Sequence, residues 1–198
     1  MNSDATPRRE YRQTARAAAA EATAERIVSA FRARLERLWF DEIRLEDVAQ
    51  DAGVTVQTVI RRFGGKEGLL QASSDQTAME VMQIRGLPVG DPPAIIRAVV
   101  TDYENVGDYI MRILAQEDRY PALRLQGDRG RVEHRAWIAA VFAPWLDGLS
   151  PEAARRRTDA LVIGTDLYVW KLVRRDMQRS VEELEDVMGR LVDAALKT

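Results

Sequence analysis

The sequence predicts an all-α protein made of an N-terminal three-helix helix-turn-helix domain and a C-terminal helical domain. Apolar residues recur at intervals of three and four along most of the 198 residues, as they do on one face of a helix. Residues 43–70 contain two short helical patterns on either side of a glycine, and basic residues then open a third helix. Glycine and proline interrupt the pattern at residues 86–93, before a second group of helices begins.

The first helix is expected from the alanine-rich segment that begins near Thr14, because alanine has the highest helix propensity and no helix breaker follows it. We expect this helix to end near Trp39 and residues 1–13 to lack regular structure. Although the chain has a net charge of −2, positive charge gathers in an N-terminal arm over residues 1–20. This arm either binds DNA in a salt-dependent manner or is an ordinary solvated tail. Its basic residues are Arg8, Arg9, Arg12 and Arg16.

Two short helices are expected over residues 45–52 and 55–63, separated by Gly53 and Val54. Gly53 is expected in the left-handed conformation, which costs glycine nothing and lets the chain reverse. Thr55 can cap the second of these helices with its side-chain oxygen. The pattern is typical of a helix-turn-helix, in which the start of the second helix meets base edges in the major groove.

The exposed residues of this second helix suit contact with DNA. Gln57 can make a bidentate contact with adenine, and threonine methyl groups can touch a thymine methyl. Basic residues follow near the start of the next helix, where a phosphate is favoured. We therefore expect double-stranded DNA as a partner, although a small scaffold with a solvated basic face is the alternative. The expected contacts are Thr55, Val56, Gln57, Thr58, Arg61, Arg62, Lys66 and Arg44.

Residues 27–70 resemble the DNA-binding domain of the tetracycline-repressor (TetR) family. The resemblance implies a DNA-binding domain over residues 21–72 and an effector-binding and dimerisation domain over residues 73–198. Trp39, Arg44 and Ile60 stand where that family usually has a glycine, a threonine and a tyrosine. We expect strain at Trp39 if it is left-handed, no side-chain cap from Arg44 and no phosphate hydrogen bond from Ile60. The matching positions are Ile27, Ala30, Leu35, Val48, Ala49, Gly53, Val54, Thr58, Val59, Phe63, Lys66 and Leu69.

In the second domain, residues 95–114 and 131–146 have helical apolar stripes, and Ser150 with Pro151 begins a further helix. Residues 160–173 are apolar nearly all round, so a single helix there must be covered on two sides. The last helix, over residues 181–196, has a narrower stripe that includes Leu184. Two such helices from each subunit would form a four-helix bundle in a homodimer, as the resemblance also implies. Periodicity alone leaves a buried central helix as the alternative.

The resemblance also implies that the second domain binds a small molecule, which the sequence does not identify. Candidate contacts are three aromatic residues, Tyr103, Trp137 and Trp170, and Asp166, whose carboxylate within an apolar run must be paired or reach water. The alternatives are core packing for the aromatic residues and an arginine or a helix terminus as the partner of Asp166. His134 is expected to be exposed. A run of acids is expected to form a solvated face rather than a metal site: Asp102, Glu104, Asp108, Glu117 and Asp118.

Composition restricts the function further. The chain has no cysteine and one histidine, which argues against disulfides, zinc sites and a Ser-His nucleophile pair, so we expect no catalytic residue, metal or cofactor. We expect no membrane partner and a cytoplasmic location, because neither a spanning segment nor a leader is visible. The expected function is a ligand-responsive regulator, a repressor that binds a palindromic operator as a homodimer and is released by a small molecule. A helical adaptor that retains the fold, or an enzyme with an accessory DNA-binding domain, is the alternative.

Overall fold

The computed structural model describes the backbone of residues 6–197 and the side chains of residues 16–197, and within these ranges it is all-helical. The ten α-helices in the described part are α1 Thr6–Leu35, α2 Leu45–Asp51, α3 Val56–Phe63, α4 Lys66–Arg85, α5 Pro92–Leu114, α6 Pro121–Val141, α7 Ala143–Leu146, α8 Pro151–Gly164, α9 Leu167–Trp170 and α10 Val181–Lys197. A 3₁₀ turn at Phe40–Glu42 precedes α2, and a π-helical turn at Lys171–Asp176 follows α9. Within residues 6–197 no helix is both long enough and apolar enough to cross a bilayer.

The chain divides into two compact units, Met1–Ser74 and Asp75–Thr198, and α4 begins in the first and ends in the second. In the first unit α1 packs on α2, and α2 packs on α3. The core of this unit consists of apolar side chains with almost no exposed surface, including Ile27, Phe31, Leu35, Ile43, Val48, Val59, Leu69 and Leu70.

The first helix differs from its expected bounds at both ends. It begins at Thr6, so the expectation of no regular structure is wrong for residues 6–13, while residues 1–5 lie outside the described part. Pro7 lies in the first turn, where its missing N–H removes no intrahelical bond. At the other end the helix stops at Leu35. Trp39 is extended, at φ −70° and ψ 151°, so the strain expected of a left-handed tryptophan does not arise.

The expectation of a single helix over residues 160–173 is wrong, because the helix is interrupted at Thr165 and Asp166. Helix α8 ends at Gly164, and the Thr165 hydroxyl donates to the Leu161 carbonyl at 2.8 Å. Asp166 is extended, at φ −74° and ψ 150°, and its carboxylate accepts from the Tyr168 N–H at 2.8 Å. Short polar side chains compete with the helix for backbone hydrogen bonds, so this pair ends one helix and caps the next.

The indole of Trp170 is the largest fully buried side chain of the second unit, and α5 makes room for it at Gly107. A Cβ at Gly107 would lie 2.6 Å from the ring, so only glycine allows this approach. Glu104 accepts a hydrogen bond from the indole N–H at 2.7 Å and a bidentate pair from Arg174 at 2.8 and 2.9 Å. The π-helical turn is thereby tied to α5.

The final helix buries the stripe that includes Leu184 inside its own unit. Leu184, Met188 and Val192 have no exposed surface, because they pack in the core with α5 and α8. Leu184 is therefore a core residue and not part of a surface that a second subunit can cover. Leu191, on another face of α10, is 42% exposed, and its Cβ would lie 3.2 Å from a Cβ at Gly164 of α8.

Candidate functional site

The turn between α2 and α3 has the expected geometry. Gly53 has φ +66°, which confirms the left-handed conformation that reverses the chain. The Val54 N–H donates to the Ala49 carbonyl at 2.9 Å and closes the turn. Arg44 precedes α2 and makes no side-chain cap there, as its lack of an acceptor oxygen predicts. Backbone bonds therefore close the turn, and the buried side chains of Val48 and Val59 pack in the same core.

Thr55 caps α3, as the sequence predicts. Its Oγ1 accepts from the Thr58 N–H at 3.2 Å, and the two threonine hydroxyls are hydrogen-bonded to each other at 2.9 Å. Both hydroxyls are therefore already engaged in hydrogen bonds at the start of the helix. Gln57, between them, is exposed, and Val56 is half-buried. The side-chain amide of Gln57 is thus exposed at the start of α3.

A close contact sets the corner between α3 and α4. Gly64 is left-handed at φ +77°, and its N–H donates to the Ile60 carbonyl at 2.8 Å. A Cβ at Gly68 would lie 1.8 Å from the Phe63 carbonyl oxygen, so the first turn of α4 approaches the end of α3 more closely than any side chain allows. Any other residue at position 68 would move one helix away from the other.

Lys66 is engaged within its own unit. Its ammonium donates to the Phe40 carbonyl at 2.6 Å and to the Asp41 carbonyl at 3.3 Å, and it lies 5.0 Å from the centre of the Phe40 ring. Partial burial lowers the pKa of Lys66, and the charge of Asp41 opposes this change. Lys66 therefore joins the 3₁₀ turn before α2 to the start of α4. Two of its three N–H donors are used in doing so.

The remaining predicted DNA contacts are on the surface. Arg44, Arg61 and Arg62 are exposed, and Arg62 lies 3.9 Å from the carboxylate of Glu21. Ile60 is also exposed and adds an apolar side chain near these arginines. Among the predicted arm residues, Arg8, Arg9 and Arg12 lie outside the described side chains. The first unit thus exposes Gln57, Arg61 and Arg62 on α3, and Arg44 just before α2.

A buried ion pair lies in the second unit, at the end of α4. Arg85 donates to Oδ2 of Asp102 from Nε at 2.8 Å and from a terminal nitrogen at 2.7 Å. The two side chains are 7% and 0% exposed. Burial alone lowers the pKa of Arg85, but the neighbouring Tyr103 and Asp102 raise it above its ordinary value, so the guanidinium stays charged. Burial raises the pKa of Asp102, and the charge and hydrogen bonds of Arg85 oppose that rise.

Two of the predicted ligand contacts flank this guanidinium. Its carbon lies 5.3 Å from the centre of the Tyr103 ring and 5.2 Å from that of Trp137, within range of cation–π attraction. Tyr103 donates to the Thr165 carbonyl at 3.1 Å, and the Trp137 indole donates to the Gly86 carbonyl at 2.8 Å. Both rings are therefore held in place by backbone acceptors.

His134 is not exposed as expected but belongs to this cluster. Its Nδ1 accepts from Arg85 at 2.8 Å, because a guanidinium can only donate. The ring proton is therefore on Nε2, 3.3 Å from the Thr165 hydroxyl. Burial and the charge of Arg85 lower the pKa of His134 to about 3. The neutral ring connects α6 to the break that follows α8.

The other two predicted ligand contacts have structural partners. Asp166 caps α9, so the helix terminus considered as its partner is the one observed. Burial raises the pKa of Asp166, while the Tyr168 N–H and the charge of Arg131 lower it. Trp170 is fully buried, 6.2 Å from Tyr103 between ring centres. The structure thus places the other three predicted contacts near Tyr103, and Tyr103 and Trp137 share a partner in Arg85.

The acidic run is a solvated face only in part: Asp108 and Asp118 are 68% and 94% exposed, whereas Asp102 is buried, and each of the five carboxylates meets an arginine. Glu104 and Asp108 bind the arginines of the π-helical turn, and Glu117 binds Arg131. Within the described residues no group of three or more metal-binding side chains comes together. The pairs are Asp102–Arg85, Glu104–Arg174, Asp108–Arg175, Glu117–Arg131 and Asp118–Arg124.

The sequence interpretation did not identify Arg85 or Thr165. One indication was available, since Asp102 lies between Val99 and Val106 on the apolar stripe of α5, where a carboxylate requires a cation. Which arginine supplies that cation depends on contacts 17 residues apart along the chain.

The lowered pKa of His134 predicts that the stability of the fold depends on pH. The unfolded chain binds a proton at this residue below about pH 6.5, whereas the folded chain does so only near pH 3. The contribution of His134 to the free energy of unfolding is therefore fully present above pH 6.5 and decreases as the pH falls below that value. The contribution is at most about 1.4 kcal/mol per pH unit between these values. Urea unfolding of the wild type and of His134→Gln, measured from pH 7 down to about pH 4, should differ by this slope. Parallel profiles for the two proteins would contradict the assignment.

Comparison with known proteins gives one family match and several similar solved structures. Residues 40–73 match the family model described as Bacterial regulatory proteins, tetR family. A Rhodococcus sp. protein assigned as a TetR-family transcriptional regulator has a TM-score of 0.70 and 15% identity, covering 89% of this chain and 99% of its own. A TetR-family regulator from Streptomyces coelicolor has a TM-score of 0.54 and 20% identity, covering 90% and 96%. The search of curated proteins finds no match.

A further structural neighbour has a bound small molecule. The multidrug binding protein EbrR, complexed with imidazole, has a TM-score of 0.57 and 21% identity, covering 84% of this chain and 88% of its own. At these identities the solved structures establish a shared fold. The family match covers the helix-turn-helix formed by α2 and α3. The tetR-family match thus covers residues 40–73, and the chain as a whole shares the fold of solved structures assigned to TetR-family regulators.

Proposed function

We propose that the chain is a ligand-responsive transcriptional repressor, which binds a palindromic DNA operator as a homodimer and is released by a small molecule. The first unit would bind DNA, and the second would dimerise and bind the effector. The observation that carries this proposal is the Thr55-capped helix α3, which presents Gln57, Arg61 and Arg62 to solvent beside a closed glycine turn. The family match favours a regulator over an enzyme.

The proposed DNA contacts divide into two kinds. Gln57 and the methyl groups of Thr55 and Thr58 would meet base edges, since they lie at the start of α3. The arginines and the amides that begin α4 would meet phosphates. Lys66 takes part only through the N–H that its two carbonyl partners leave available. The second group comprises Arg44, Arg61, Arg62 and Lys66.

Apolar surface on the last helices supports the homodimer. Ile163 is 66% exposed at the end of α8, and Leu191 is exposed on the neighbouring α10. Tyr168 and Leu172, in the segment that joins these helices, are also exposed. A second copy of the same surface would remove this apolar area from water about a two-fold axis.

A small-molecule effector is supported by the second unit and by one neighbour of known structure. The aromatic residues Tyr103 and Trp137 flank a charged group near the end of α4, the helix that continues from the first unit. EbrR, which shares the fold, is a multidrug binding protein complexed with imidazole. A gel-shift assay with the DNA upstream of the chain's own gene tests the proposal, and failure to retard any fragment would favour the adaptor alternative.

Gln57→Ala should lower affinity for the operator but not for scrambled DNA, because it removes a base contact and leaves the phosphate contacts intact. The expected loss of discrimination is about 1–3 kcal/mol. Arg61→Ala is the matched control on the same helix. It should weaken both duplexes alike and reduce the slope of log affinity against log salt by about one. An unchanged ratio of operator to scrambled affinity in Gln57→Ala would show that Gln57 does not contact bases.

Leu191→Glu should convert the dimer to a monomer in light scattering, because it places a charge on the proposed interface without entering the core. Operator binding should fall with it, since the two half-sites need recognition helices about 34 Å apart. Val132→Glu, an exposed apolar position on α6, is the control and should leave the dimer intact. A wild-type protein that is monomeric at micromolar concentration would exclude the interface.

A further inference from the structure

Arg85 occupies a set of groups that together have the chemistry of a cation receptor. Two aromatic rings flank its guanidinium at 5.3 and 5.2 Å, one carboxylate accepts two of its hydrogen bonds, and an imidazole nitrogen accepts a third at 2.8 Å. These four residues are Tyr103, Trp137, Asp102 and His134, and we call them the Arg85 cage. Aromatic rings around a carboxylate are a recurrent means of binding organic cations.

The cage requires one positive charge. Asp102 is fully buried, and a buried carboxylate without a cation is strongly unfavourable. Its second oxygen, Oδ1, is also buried and has no hydrogen-bond partner, so the cage has more acceptor capacity than Arg85 uses. An anionic ligand would add negative charge beside Asp102. The charge of Glu80 already raises the pKa of Asp102. The charges therefore favour a cation over an anion.

The geometry restricts the type of cation. A flat group suits a position close to both rings, and it needs N–H donors that point both at Asp102 and at His134 Nδ1. A quaternary ammonium has no such donors, and it would leave both acceptors unpaired. A guanidinium or an amidinium has both the plane and the donors.

Arg85 is also placed where it can be exchanged. It is the last residue of α4, and it is followed by Gly86 at φ +52° and by the exposed Leu87. Trp137 is only half-buried and donates to the Gly86 carbonyl, so the outer wall of the cage is bonded to the loop that begins there. Movement of Arg85 out of the cage would change the end of α4.

We propose that the Arg85 cage is the effector site, that it selects a flat organic monocation of the guanidinium or amidinium class, and that Arg85 fills it when no effector is bound. That the bound cation acts as an effector rests on the proposed function, whereas its binding to the cage does not. Because a tethered group competes at a high effective concentration, an effector must make further contacts beyond its charged group to replace Arg85. A small probe should consequently bind the wild type weakly and a variant without Arg85 more tightly.

Arg85→Ala tests the cage directly in the full-length chain. Ethylguanidinium at millimolar concentration should raise the thermal midpoint of this variant in a saturable manner, because it restores the charge that Asp102 needs. Ethylurea, its neutral analogue, should have no such effect. The double variant Arg85→Ala/Asp102→Asn, which needs no cation, should not respond to ethylguanidinium. Equal responses to the two probes, or an equal response of the double variant, would overturn the proposal.

Calorimetry on folded wild-type protein gives a second measurement if Arg85→Ala does not fold. Benzamidinium at millimolar concentration should bind the wild type weakly, because Arg85 competes with it, and Asp102→Asn should lower its affinity by at least about tenfold, the usual effect of losing a charged hydrogen-bond partner. Tetramethylammonium and benzoate should bind neither protein. No binding of benzamidinium to the wild type, or unchanged affinity in Asp102→Asn, would contradict the exchange.

These assays contain no DNA, so they separate the two proposals. If benzamidinium binds but no DNA fragment is retarded, the cage stands and the regulator proposal fails. If DNA is retarded but the probes do not bind, the regulator proposal stands and the cage fails. When both succeed, benzamidinium should lower the fraction of operator bound, and an unchanged fraction would show that the cage is not the effector site.

Discussion

The second unit depends on the buried ion pair between Arg85 and Asp102. Removing either charge would leave the other buried without a partner, which is among the most destabilising changes available to a protein core. The pair also determines its surroundings. Two rings flank the guanidinium, His134 must be neutral to accept from it, and the His134 ring then contacts Thr165, where α8 ends. Residues from α4, α5, α6 and the end of α8 are arranged around one charge.

Helix α4 gives this pair its functional importance. Its first turn packs against the end of α3 at Gly68, and its last residue is Arg85. Leu69 and Leu70 are buried in the core of the first unit. A change in the partners of Arg85 therefore acts on a helix whose other end belongs to the proposed DNA-binding unit. Regulation of such a protein requires a second state with different contacts, and the exchange of one guanidinium for another would provide it.

Sequence predicted the parts of the molecule whose causes are local. Gly53 and Thr55 act within a few residues of themselves, so the turn and the cap of α3 could be predicted and are confirmed. The interruption of the helix at Thr165 and Asp166 also has a local cause, but it was not predicted because the residues around it form an apolar run. Partners distant in sequence could not be predicted: Lys66 with Phe40, His134 with Arg85, and Leu184 with its own core. Periodicity identifies a buried face but not what covers it.

The most direct test of the central claim is a double-mutant cycle on the ion pair. Free energies of unfolding in urea, followed by tryptophan fluorescence, would be measured for the wild type, Arg85→Met, Asp102→Leu and the double variant. Trp137, Trp145 and Trp170 all report on the second unit. Each single change should cost about 3–5 kcal/mol, and the double change should cost less than their sum by more than about 1 kcal/mol. Additive losses would show that the two charges do not depend on each other and would contradict the account.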